Sequence, residues 1–359
     1  MKTTGKVLGA AAGAVGVAAA GAALRVAQRR AVINRRGAGD HAPFGSLRSK
    51  PIHVVTDDGV DLHVEVDEFH GPPGRRRSKA KAPELTVVFV HGYSLNLDSW
   101  HFQRAGYRDQ VRAVYYDQRS HGRSGRSPRG HATIEQLGRD LYQVLETVVP
   151  QGPIVLVGHS MGGMTIMALA EEHPELFGDR VVGVGLISTT AGGLEPHRII
   201  APRVPSTLGG ALAERLVTVL ARGHKGVDGV RRLGHTVAMV ATDELAFGDD
   251  VPASYVEFVD EMLSATPFEV VAEFFSNFAR LDKFETVKAL GVVPTTIIAG
   301  TADRITAVGH SRKLHAYIPG SSLLECPGAG HLVMMERHHD VNDELDQLLA
   351  LAGDLADRR

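Results

Sequence analysis

The chain has 359 residues, enough to bury a large core as one big domain or as a domain with an insertion. Its 43% hydrophobic content is ordinary for a globular fold, and its single cysteine, Cys326, rules out an intrachain disulfide. The formal net charge of −2 hides a basic N-terminal part: residues 1–83 carry 14 Lys/Arg against 7 Asp/Glu, yet no basic patch interleaves with aromatics, which argues against nucleic acid as a partner.

Val7 to Leu24 is an uncharged run dominated by Ala and Gly. Lys2 and Lys6 precede it, and Arg25, Arg29, Arg30, Arg35 and Arg36 follow it. A helix of that length reaches roughly 27 Å, close to the minimum for a span. Three readings fit. A signal peptide suits the charged start and the small residues Ala20-Gly21-Ala22. A membrane anchor suits the length and the arginines, and Gly9 with Gly13 makes a G-x-x-x-G spacing for helix contact. An Ala/Gly-rich tail is the third. Positive charge directly after the run resists export and prefers the cytoplasmic side. The sequence therefore predicts a membrane-associated chain with its catalytic body in the cytoplasm and membrane contact through residues 7–36, with export as the alternative. Residues 37–50 read as a polar linker, so residues 1–50 form one N-terminal segment.

From Pro51 to Val66 the pattern alternates around Asp57-Asp58-Gly59, a hairpin signal. Residues 70–83 form a basic loop rich in Pro and Gly; it reads as solvated, with anionic headgroups as the alternative contact. Continuous apolar runs at Leu85 to Val90, Ala113 to Tyr116, Ile154 to Val157, Val181 to Ile187 and Thr295 to Ala299 read as buried parallel strands, with a shorter one at Ser322 to Glu325. Helices fall between them. One starts at a Thr133/Gln136 capping box and buries Ile134, Leu137, Leu141, Val144, Leu145 and Val148; one stops near Pro174; one closes the chain from Val341 to Leu355. This alternation predicts the α/β class, a doubly wound, mostly parallel sheet with helices on both faces. Between residues 195 and 290 the rhythm breaks. Leu208 to Arg222 and Pro267 to Arg280 have helical patterning and no strand stands out. Residues 195–290 are read as a helical cap inserted into a core of residues 51–194 and 291–359. Within it Phe268, Val271, Phe274, Phe275 and Phe278 read as cap core rather than substrate pocket.

Gly158-His159-Ser160-Met161-Gly162-Gly163 joins a buried strand to the helix after it. Strand, sharp turn and helix, with serine at the tip, is the setting in which G-x-S-x-G presents a nucleophile. A serine hydroxyl is weak until a base takes its proton, so it must stand clear of the sheet where a histidine can reach it. Gly158 and Gly162 remove side chains where strand and helix nearly touch, and Gly163 lets the helix lie close. Further motifs follow the other strands: His91-Gly92-Tyr93-Ser94, Asp117 to Ser124, Gly300-Thr301-Ala302-Asp303 and Gly328-Ala329-Gly330-His331. In this order and setting they resemble the alpha/beta-hydrolase family, in the form of its serine esterases and lipases with a helical cap. The resemblance covers most of residues 51–355. One departure is Ser120, where the family usually has glycine.

The resemblance implies a site. Ser160 is the nucleophile, His331 the general base and then acid, and Asp303 the group that orients the imidazole. The backbone N–H groups of Tyr93 and Met161 hold the oxyanion, and His91, Gly92, Gly158, Gly162 and Gly163 shape the turns around it. Asp282 is a spare acid at the cap exit. His338 and His339 read as solvent-facing, His121 as a turn residue and His159 as a packing residue. No cofactor is implied, and no His/Asp cluster has metal-ligand spacing. The implied reaction is hydrolysis of small carboxylic esters with apolar acyl or aromatic groups through an acyl-enzyme. Perhydrolase chemistry of the cofactor-free haloperoxidase type and C–C bond hydrolysis use the same triad. A membrane-tethered binding protein on a hydrolase fold is the non-enzyme alternative.

Overall fold

The computed structural model describes residues 24, 26–36, 43–69, 85–195 and 235–358. Among them, eight strands make one sheet: β1 (Pro51–Val55), β2 (Asp61–Asp67), β3 (Thr86–Val90), β4 (Arg112–Tyr116), β5 (Ile154–His159), β6 (Val181–Ile187), β7 (Thr295–Gly300) and β8 (Ser322–Cys326). Their order is β1-β2-β4-β3-β5-β6-β7-β8. β1 and β2 form the antiparallel hairpin, β2 meets β4 antiparallel, and every later pairing is parallel. The architecture is the α/β, mostly parallel arrangement that the apolar runs predict.

Strands β3 to β7 are buried on both faces because alternate side chains feed two cores. On β3, Val87 and Phe89 join one core, and Val88 and Val90 join the other. Ten helices are labelled in chain order: α1 (residues 26–33), α2 (His101–Tyr107), α3 (Ile134–Val148), α4 (Met161–Glu172), α5 (His235–Ala246), α6 (Ala253–Ala265), α7 (Phe268–Arg280), α8 (Val308–Tyr317), α9 (Val333–Glu336) and α10 (His338–Asp357). Leu345 and Leu348 of α10 fill the first core; Leu141 and Val144 of α3 and Ile166 of α4 fill the second. The order in which successive strands are added reverses around β3, which lies between β4 and β5. Open α/β sheets place their sites at the carboxyl ends of strands flanking such a point. Val90 is in register with Gly158, so the loops after β3 and β5 leave the sheet side by side.

Some sequence expectations change. The closing helix starts at His338, three residues before Val341. The capping box is only half made: the Thr133 hydroxyl accepts the Gln136 N–H at 3.1 Å, but the Gln136 side-chain oxygen accepts from Arg139 and the Thr133 N–H donates to the His131 carbonyl instead. The Arg139 guanidinium, three residues on, outcompetes the backbone N–H for that oxygen, while the Gln136 NH2 donates to Asp57 and Asp140. α5, α6 and α7 lie between β6 and β7. The helical pattern at Leu208 to Arg222, the basic loop of residues 70–83 and nearly all of the run from Val7 to Leu24 lie outside the described residues. Among the described residues no helix is long and apolar enough to cross a membrane.

Residues 26–36 and 43–48, expected as flank and polar linker, pack against α5, α6 and the loop after β3. Ile33 of α1 is fully buried. Arg29 and Arg36 reach the buried Asp243 of α5 at 2.7 and 2.6 Å, and Arg36 also reaches Asp250 at 2.6 Å. Phe44 stacks on Phe258 of α6 with ring centroids 4.5 Å apart. Arg48 then pairs with Asp98 beside the sheet. Two guanidinium groups on one buried carboxylate supply the compensation that a desolvated charge needs.

Candidate active site

The turn after β5 is fixed by backbone contact. Ser160 sits at φ 52° and ψ −116°, in a region most L-residues avoid. Its N–H donates to the Ile187 carbonyl at 2.9 Å, and its carbonyl accepts the Thr189 hydroxyl at 2.7 Å. A Cβ at Gly162 would stand 2.0 Å from the Val90 carbonyl oxygen, and one at Gly158 would stand 2.6 Å from the Gly162 backbone. Only glycine lets β3, β5 and α4 converge so closely. Gly163 meets Thr189 in the same way.

Three side chains named from the sequence meet here. His331 Nε2 is 3.0 Å from Ser160 Oγ, and His331 Nδ1 is 2.8 Å from Asp303 Oδ2. Ser160 and His331 are 171 positions apart in the chain. The carboxylate on the Nδ1 side favours the tautomer with hydrogen on Nδ1, which leaves Nε2 to accept the serine proton. Asp303 is itself held: Oδ1 accepts the Ile305 and Thr306 N–H groups at 2.7 and 2.9 Å, and the Thr306 hydroxyl lies 2.8 Å from Oδ2. Burial pushes the Asp303 carboxyl up, but the charge and hydrogen bond of His331 and the donors from Ile305 and Thr306 outweigh it and hold it below its ordinary value.

Tyr93 and Met161 flank the serine. A Cβ at Gly92 would be 3.2 Å from Ser160 Cβ, so the peptide leading to Tyr93 runs against the serine, and Met161 opens α4 on its other side. His91 supports this loop. Its Nδ1 bonds the Gly92 carbonyl at 2.7 Å, and its Nε2 accepts the Gln118 N–H at 2.9 Å. Burial pushes the imidazole down to about 4, which keeps it neutral.

The competing residues stay out. Asp282 is exposed and pairs by backbone with Gly192. His121 bonds the Arg119 carbonyl, within its own turn. His339 is exposed, but His338 is half-buried and stacks on Phe102 with centroids 4.1 Å apart. Ser120 takes φ 65°, the left-handed conformation that glycine would adopt freely, and its hydroxyl accepts the Ser127 N–H.

Two supporting residues were not foreseen. His159 does more than fill space: its Nε2 donates to the His331 carbonyl at 3.0 Å. Glu336 gathers the N–H groups of Gly330, Gly248 and Asp249 at 2.6 to 3.2 Å. The Leu332 N–H donates to Ala246 at the end of α5, and a Cβ at Gly330 would be 2.5 Å from the Gly248 nitrogen. The loop bearing His331 is thus stitched to the cap backbone to backbone. The Gly328-Ala329-Gly330 spacing hinted at such close approach, but its partner was invisible in sequence.

Over Ser160 opens a cavity of about 350 Å³ with mostly apolar walls. Its walls include Tyr93, Leu245, Val259, Leu263, Val271 and Phe275. The phenylalanine stripe of α7 is therefore divided. Phe274 is buried against Met161 and Met164, while Val271, Phe275 and Phe278 face the cavity. Neighbouring positions on a helix point in different directions, so one helix serves both surfaces. No group of three or more His, Cys, Asp or Glu suited to a metal ion occurs among the described residues.

The alpha/beta hydrolase family matches residues 87–344, and the chain belongs to that family. It is 26% identical over 270 residues to 3-oxoadipate enol-lactonase 2 of Acinetobacter baylyi, covering 75% of this chain and 90% of that protein. Among solved structures, the enol-lactonase of Burkholderia xenovorans LB400 aligns with a TM-score of 0.65 at 24% identity, over 83% of this chain and 100% of that one. A thermophilic esterase of Thermogutta terrifontis aligns with a TM-score of 0.62 at 24% identity, over 85% and 100%.

Proposed function

We propose that the chain hydrolyses carboxylic esters with apolar acyl or aromatic groups, with Ser160 as nucleophile. The observation that carries this reading is the relay Asp303–His331–Ser160 opening onto an apolar cavity. Ser160 Oγ attacks the ester carbonyl as His331 Nε2 takes its proton. The oxyanion is met by the N–H groups of Tyr93 and Met161. The proton then passes from His331 to the departing alcohol, leaving an acyl-serine. Water, activated by the same imidazole, releases the acid. Asp303 stays ionised throughout and stabilises the imidazolium, a role its lowered proton affinity suits. The lactonase name of a relative supports the class, since a lactone is a cyclic ester.

The test is a series of p-nitrophenyl esters of rising acyl length, with fluorophosphonate labelling in parallel. Wild type should be labelled and should favour acyl chains that fill the cavity. Ser160→Ala should lose labelling and about 10⁶-fold in kcat. A well-folded wild type that is neither labelled nor active on any ester would sink the reading.

A further inference from the structure

We propose that the outer face of α1 lies on a lipid bilayer, and that the chain draws its substrate, an ester partitioned into that bilayer, through the cap to which α1 is fastened. The substrate half of this rests on the ester-hydrolase reading above.

Three observations carry it. The uncharged apolar run of the sequence ends at Leu24, which is itself helical, and residues 26–33 of α1 follow. α1 is also divided by face. Ile33 is buried, and Arg29 and Arg36 hold Asp243 and Asp250. Away from that contact, Leu24 and Val32 are 61% and 40% exposed, with Ala27, Gln28, Ala31 and Arg35 exposed beside them. Outward apolar residues edged by arginine suit the boundary between acyl chains and anionic headgroups. Lastly, the fastening is to the cap and not to the sheet. Asp243 follows Thr242 and precedes Leu245 by two, and both of those line the cavity. Phe44 stacks on Phe258, next to Val259 in the cavity wall. Bilayer surface, α1 and cavity wall are therefore joined through one layer of helices. The mostly apolar cavity walled by these helices is suited to an acyl chain.

The experiment uses the full chain with phosphatidylcholine/phosphatidylglycerol vesicles carrying a long-chain ester, and in parallel a water-soluble butyrate ester. One variant, Val15→Asp with Val17→Asp, interrupts the apolar run. A second, Arg29→Ala with Arg36→Ala, unfastens α1 from the cap. Wild type should float with the vesicles. The first variant should stay in the aqueous fraction, lose about tenfold or more on the embedded ester and match wild type on the butyrate. The second should still float yet lose roughly fivefold on the embedded ester, because the bilayer is no longer held in register with the cavity. Wild type that fails to float, or a run variant that keeps full turnover of the embedded ester, overturns the proposal. Undiminished turnover in the second variant overturns the role of the cap fastening. Flotation without turnover of either ester overturns the ester reading and the substrate half together, while supporting the docking.

Discussion

The Ser160 turn and the helices α5, α6 and α7 face the same cavity but are built differently. At the turn, backbone meets backbone: Gly162 against the Val90 carbonyl, and the Ser160 N–H on the Ile187 carbonyl. On α5, α6 and α7, side chains such as Leu245, Leu263 and Phe275 make the cavity surface. Backbone contact leaves one answer per position, whereas side-chain walls tolerate many. The first arrangement suits chemistry that must hold geometry closely, and the second suits a preference that can drift.

Four measurements would break or sharpen this contrast. The largest effect is expected at Asp303→Asn, which keeps the shape but presents an amide to His331 Nδ1. The imidazole loses its preferred tautomer, and kcat should fall about 10⁴-fold with little change in melting temperature. A loss under tenfold would mean the carboxylate is not the orienting group.

Glu336→Ala tests whether the two regions are separable. It strips the acceptor from Gly330, Gly248 and Asp249, and so loosens the His331 loop from the cap. A fall of about tenfold in kcat with KM changed less than about threefold is expected, since substrate walls stay while the base shifts. A pure KM effect would show that Glu336 shapes the pocket instead.

Phe275→Trp should change only what the cavity admits. The optimum acyl length should shorten, with about a five- to tenfold loss on the longest esters and near-wild-type rates on acetate. Equal losses at every length would place Phe275 in the chemistry and dissolve the contrast.

The smallest effect concerns acid. Burial pushes His91 down to about 4 and His121 and His159 down to about 3. Below 6.5, the ordinary imidazole value, an unfolded chain takes up protons at these positions that the folded chain does not. The unfolded state then binds more protons, so stability falls as pH drops from 6.5 towards 4. His159→Gln keeps an N–H for the His331 carbonyl and removes one of the three groups. Its unfolding free energy against pH should show a shallower acid limb. An unchanged slope would show that His159 does not contribute.

The sheet was legible because its strands are continuous apolar runs, and the serine turn because its glycines have no alternative. Asp303 and His331 could be picked out because each follows such a strand. The packing of α1 could not be read. Arg29 and Arg36 look in sequence like flanking charges of an apolar run, and their partner Asp243 lies 214 and 207 positions away. The split of the α7 stripe was equally hidden, since Phe274 and Phe275 are identical in type and differ only in direction. Glu336 reads as an ordinary surface charge until Gly248 is brought to it. What escapes the sequence in each case is a contact between segments far apart along the chain.

That distance has a consequence for biosynthesis. Ser160 leaves the ribosome 171 residues ahead of His331, roughly 9–34 s earlier at ordinary elongation rates. Throughout that interval the nascent chain carries a serine with no base to activate it. β7 and β8, which precede Asp303 and His331, are the last strands of the sheet to be synthesised. On the mechanism proposed above, reactivity is switched on by completion of the fold, and a truncated translation product that stops before β8 would be chemically silent in the cell.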